Sequence, residues 1–169
     1  MSAAKRLSLC AVLAALGVVI LVLAAVYPAL APAFAALAGL FGAVAVIHCR
    51  PLWALGVWLV CGGLGLLLSP AKGAAVLYLL FFGWYPVAKS GIEHMQSLPL
   101  SWAVKLLTAA ASIVCAYLVY YRLFVSTQLY AWYLYLAAMA VLLVVFAAYD
   151  IAFSALISFY LRRIAPHIK

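Results

Sequence analysis

The sequence predicts an all-α fold, a polytopic integral membrane bundle of about six transmembrane helices with both termini on the cytoplasmic side and a long C-terminal helix. Two observations carry this. First, 73% of the 169 residues are hydrophobic and 7% are charged, against the roughly half-apolar, quarter-charged mix of a soluble domain. Second, the apolar residues fall into runs of membrane-crossing length, separated by Pro, Gly and basic residues.

Crossing the hydrocarbon core takes roughly twenty apolar residues. The first run, Leu7 to Val26, follows Lys5-Arg6 and is stopped by Pro28 and Pro32. It resembles a signal-peptide start, but its length and the lack of a small-polar cleavage region favour a retained anchor helix. The second run, Ala33 to Ile47, ends at His48-Cys49-Arg50-Pro51 and the third, Leu52 to Leu68, at Ser69-Pro70-Ala71-Lys72. The fourth runs from Gly73 to Ala88, with Pro86 near its end, and leads into a polar stretch from Lys89 to Ser101 that reads as the longest extramembrane segment. A fifth run covers Trp102 to Tyr121. The sixth, Leu129 to Leu161, is about 50 Å long if fully helical and must tilt, bend or protrude beyond a core of about 30 Å. No repeat or linker marks a second domain, so residues 1–169 read as a single transmembrane domain.

Charge placement sets the orientation. With the N-terminus inside, Lys5, Arg6, Arg50, Lys89, Lys105, Arg162, Arg163 and Lys169 face the cytoplasm, and only Lys72 and Arg122 face out, the bias expected of topogenic charge. Tyr117, Tyr120, Tyr121, Tyr130, Trp132, Tyr133 and Tyr135 gather near the outer ends of runs five and six, as rings do at headgroup level. The net charge of +8 is therefore not a nucleic-acid footprint, which would need the charge gathered on one face or arm.

Few residues can carry chemistry. The only acidic residues are Glu93 and Asp150. Asp150 lies in the sixth run, where an ionisable group is a functional hypothesis; it can pair with Lys89 or Lys105, reach headgroup water, or bind a proton or cation. No second carboxylate accompanies it for aspartyl chemistry, and neither a serine-hydrolase elbow nor a zincin motif is present. An enzyme is disfavoured, with no catalytic residue and no cofactor. His48, His94 and His167 fall at interfaces or in the tail. The scattered Cys10, Cys49, Cys61 and Cys115 lack metal-ligand spacing and read as small apolar packing residues. Cys61-Gly62-Gly63-Leu64-Gly65 lies within an apolar run, where glycine permits close helix packing. On the fourth run, Phe81-Phe82-Gly83-Trp84-Tyr85-Pro86 makes an aromatic, kinked end. Near the outer mouth Lys72, Tyr78, Tyr117, Tyr121, Arg122 and Gln128 are candidate substrate-binding residues, Arg122 being the best placed for an anionic group. On the first run Ala11, Ala14, Ala15 and Gly17 cluster, and the Ala11–Ala15 spacing lets another backbone approach.

Lys5-Arg6-Leu7-Ser8-Leu9-Cys10-Ala11-Val12-Leu13-Ala14-Ala15-Leu16 resembles the basic N-terminus and alanine-faced first helix of the S components, the substrate-binding membrane subunits of energy-coupling factor transporters, which share this length and about six helices. The stretch from Leu68-Ser69-Pro70-Ala71-Lys72 through Phe82 to Lys89 is also similar to uncharacterised S-component-like membrane proteins of Firmicutes. The resemblance implies a multi-pass protein of a bacterial plasma membrane that binds a small solute for uptake, with a membrane coupling subunit and ATPases as partners and Ala11 and Ala15 docking on that subunit. The outer loop from Ala25 to Pro32 is shorter and more apolar than in vitamin-binding members. Two other readings are a non-transport scaffold or assembly factor and a cation-coupled carrier using Asp150.

Overall fold

A computed structural model describes residues 2–70, 72–92, 98–124 and 132–163. Among them, six helices are long and apolar enough to cross a membrane: Ala3–Leu23, Pro28–Cys49, Pro51–Leu68, Lys72–Ile92, Pro99–Ala116 and Met139–Arg163. The chain divides into two compact units, Met1–Ser101 and Trp102–Lys169.

The first unit holds four spans. Helix α1 (Ala3–Leu23) begins four residues before the apolar run because the Ser2 side chain accepts a hydrogen bond from the Lys5 backbone N–H at 3.4 Å, a capping arrangement that satisfies an otherwise orphaned donor. Lys5 and Arg6 therefore lie on the helix. After a 3-10 turn at Pro28–Leu30, α2 covers Ala31–Cys49, with Pro32 in its first turn, where a missing N–H costs nothing. Helix α3 (Pro51–Leu68) follows after one residue. That residue, Arg50, has φ 83° and ψ 157°, a region occupied almost only by glycine and costing on the order of 1–3 kcal/mol.

The spans alternate in direction and pack through small residues. A Cβ added to Gly17 on α1 would lie 2.6 Å from Cys61 Sγ on α3, and one on Gly65 would lie 2.7 Å from Leu21. At the far end the Ser69 hydroxyl donates to the Leu21 carbonyl at 3.1 Å, tying the C-terminal ends of α1 and α3 together. Gly62 faces Leu79 of the fourth span, whereas Gly63 faces open space. The Cys61 to Gly65 stretch is thus a helix-packing surface, and Cys10, Cys49 and Cys61 are core residues. Cys115 departs from the packing role by being exposed.

The fourth span is interrupted where the sequence suggests one run from Gly73 to Ala88. Helix α4 (Lys72–Leu77) passes into a π segment, Tyr78–Phe82, and after a turn the chain resumes as α5 (Tyr85–Ile92). Pro86 does not end a helix; it sits in the first turn of α5, its favoured place. The helical continuation to Ile92 corrects the expected polar loop from Lys89 to Ser101. Pro99 likewise lies in the first turn of α6 (Leu98–Phe124), and only residues 93–97 remain between the helices, outside the described residues. Lys89, expected in that loop, is 2% exposed.

Apart from its first turn, α6 belongs to the second unit, with α7 (Trp132–Arg163), an unbroken helix of 32 residues. Ala109 and Ser112 on α6 and Phe146 and Phe153 on α7 are buried, while Leu107 and Leu118 on α6 and Val141, Val144 and Ile151 on α7 are exposed.

The close approach of α2 to the fourth span gives the first prediction. A Cβ at Gly39 would sit 2.6 Å from the Phe82 carbonyl oxygen, a backbone atom that cannot swing aside. Gly39→Ala is expected to lower unfolding stability in detergent by about 1–3 kcal/mol, while Gly63→Ala leaves it unchanged or raised by up to about 1 kcal/mol; parallel thermal melts decide.

Candidate functional site

The break in the fourth span is built from backbone groups that the π turn releases. The Gly83 N–H donates to the Tyr78 carbonyl at 2.7 Å, a five-residue bond in place of the helical one to Leu79. The Leu79 carbonyl is taken instead by the Trp58 indole N–H on α3 at 3.1 Å. The Trp84 indole N–H reaches the Leu80 carbonyl at 2.8 Å. Pro86 has no N–H to offer the Phe82 carbonyl four residues earlier, and that carbonyl faces Gly39. Single π turns inside helices occur frequently at functional sites.

Tyr78 stands at the start of this break and is wholly buried. Its ring crosses Gly83, where an added Cβ would lie 2.8 Å from the ring and 2.3 Å from Trp58 Cδ1. Its hydroxyl is buried and has no hydrogen-bond partner beyond the weakly polar Cys61 thiol beside it. Such an orphaned donor costs about 1–3 kcal/mol. Around the turn Tyr85 stacks on Phe81 at 5.1 Å, and the Lys89 ammonium lies 6.0 Å from the Tyr85 ring centre.

The other candidate residues are distributed as follows. Lys72 donates to the Leu66 carbonyl and so caps the end of α3. Tyr117, Tyr121 and Arg122 lie on α6 in the second unit, and Gln128 is outside the described residues. Ala11 and Ala15 are both exposed, whereas Ala14 and Gly17 turn into the core, so the small residues of α1 serve two faces. His94 and His167 are outside the described residues, and His48 is half-buried at the end of α2.

In the second unit Asp150 pairs with Lys105, not Lys89: Nζ and Oδ2 are 3.0 Å apart, with the side chains 7% and 2% exposed. The Lys105 ammonium also lies 5.5 Å from the Trp102 ring centre. Each charged residue carries a hydroxyl on its own backbone, Thr108 donating to the Lys105 carbonyl and Ser154 to the Asp150 carbonyl, both at 2.8 Å. No cluster of metal-ligating side chains occurs among the described residues.

Sequence reasoning missed Trp58 and Gly39. The signals were present: a buried indole N–H needs an acceptor, and Gly39-x-x-Gly42 presents a flat helix face toward the Pro86-containing segment.

The six helices long and apolar enough to cross a membrane suggest a multi-pass membrane protein. No protein-family model, curated protein or solved structure matches the chain.

The buried ion pair makes the second prediction. Removing one partner leaves an uncompensated buried charge, which costs about 3–5 kcal/mol, whereas an apolar pair of similar volume is often neutral. Asp150→Leu is expected to be strongly destabilised and Lys105→Met/Asp150→Leu to recover most of that loss. A double variant no more stable than the single one, by unfolding in detergent, contradicts a structural role for the pair.

Proposed function

We propose that this is a membrane protein of S-component type, which binds a small solute for uptake and relies on partner subunits for energy. The observation that carries the reading is the interrupted fourth span with the buried, partnerless Tyr78 hydroxyl at its start. Broken helices are where many transporters place their solutes, because unwound backbone supplies polar groups within an apolar bundle. Here Trp58 and Trp84 hold two of those carbonyls, and Tyr78 brings a buried hydroxyl with hydrogen-bonding capacity to the same break.

With the N-terminus inside, Tyr78 lies in the outer half of its span, the side from which a solute would be captured. The exposed Ala11 and Ala15 on α1 offer a small-residue face for a coupling subunit. The Lys105–Asp150 contact weighs against a cation carrier built on Asp150, because the carboxylate is already neutralised at 3.0 Å.

Purification from native membranes in mild detergent, followed by mass spectrometry of co-purifying molecules, tests the reading. Recovery of a vitamin-like solute with coupling and ATPase subunits is the expected outcome, and Tyr78→Phe is expected to retain about tenfold less solute, the value of one hydrogen bond of about 1.4 kcal/mol. Recovery of envelope proteins alone, with no solute, moves the assignment to a scaffold.

A further inference from the structure

The end of the first unit opposite Lys72 gathers positive charge with no described carboxylate beside it. Lys5 and Arg6 lie on the first turns of α1, and Arg50 is the residue between α2 and α3. These places adjoin, because the Cys49 thiol donates to the Arg6 carbonyl at 3.8 Å and Arg50 is the next residue. The N-termini of α1 and α3 open here beside the C-terminus of α2, and neither N-terminus has an acidic residue in its first turn, so two positive dipole ends stand against one negative end. The one acidic residue of this unit, Glu93, is outside the described residues.

Two particulars set this end apart from ordinary topogenic charge. The Arg6 Nε is buried and has no hydrogen-bond partner, so a guanidinium donor is withdrawn from water without an acceptor. Arg50 occupies a backbone conformation that suits glycine, at φ 83°, with no side-chain capping bond to account for it. Glycine there would relieve the backbone; an arginine there puts a cation on the residue next to Cys49, whose thiol meets the Arg6 carbonyl.

We infer that this corner binds the phosphate of an anionic lipid headgroup, with Arg6 as its anchor and Arg50 as the second cation. Guanidinium groups suit phosphate because their fixed fork of donors matches its oxygens, and basic recesses between membrane helices are recognised headgroup sites. A lipid fits better than free phosphate because the cations border lipid-type surface: Leu7 is 60% exposed and Leu52 is 81% exposed, leaving apolar ground for acyl chains directly beside the cations. The inference rests on the reading of the chain as a membrane protein and is independent of any solute.

The test uses the full-length protein, delipidated in detergent, with thermal stability and native mass spectrometry as readouts. Phosphatidylglycerol is expected to raise the unfolding temperature and to remain bound at least tenfold more than phosphatidylcholine. Arg6→Gln and Arg50→Gly are each expected to lose that selectivity about tenfold, while Arg162→Gln, an exposed cation at the end of α7, retains it. Arg50→Gly separates binding from folding: without lipid it melts at or above the wild-type temperature, since glycine accepts the backbone, yet it no longer responds to phosphatidylglycerol. Equal retention of the two lipids, unchanged selectivity in Arg6→Gln, or an equal loss in Arg162→Gln overturns the site. An equal stabilisation by millimolar inorganic phosphate alone overturns its assignment to lipid.

Discussion

The structure of the first unit depends on one constraint: in an apolar surrounding, a backbone carbonyl released by a helix break must find a donor within the protein. The fourth span breaks at Tyr78–Phe82, and the neighbouring helices are shaped around that break. Helix α3 sends the Trp58 indole N–H across to Leu79. Helix α2 brings up Gly39 and Gly42, whose missing side chains let the turn and Pro86 come close. The segment's own Trp84 covers Leu80. Large aromatics and glycines therefore occur together because one supplies donors and the other supplies room.

The two units treat charge differently. In the second, a lysine and an aspartate are buried against each other at 3.0 Å, so the ionisable groups cancel where they are least solvated. In the first, arginines accumulate at one end with no described carboxylate, and a buried guanidinium nitrogen goes without a partner. Cancelled charge suits a structural seam; uncancelled charge suits an external anion. The same comparison applies to hydroxyls. Ser69, Thr108 and Ser154 each have a backbone acceptor; the buried Tyr78 hydroxyl lacks one, and it carries the functional proposal.

The existence of the spans was legible because a twenty-residue apolar run needs no knowledge of its neighbours. Their ends were less so. Helix α1 starts early through a Ser2 cap, and α5 and α6 extend into the polar stretch because Pro86 and Pro99 act as helix starters, a role that composition alone does not separate from helix breaking. The Asp150 partner was narrowed to two lysines, and choosing Lys105 required the pairing of α6 with α7. The candidate site was legible least of all. Tyr78 was named, but its hydroxyl is isolated by a π turn, and that turn packs against Trp58 and Gly39, which lie on other helices far away along the chain.

The most direct test of the account compares thermal unfolding of Trp58→Phe and Tyr78→Phe in the same detergent. Trp58→Phe strands the Leu79 carbonyl and is predicted to lose about 1–3 kcal/mol, whereas Tyr78→Phe removes a hydroxyl with no bond to lose and is predicted to be as stable as the wild type or more so. If Tyr78→Phe is the more damaging change, or if Trp58→Phe costs nothing, the break is not held together in this way and the hydroxyl is not held in reserve for a solute.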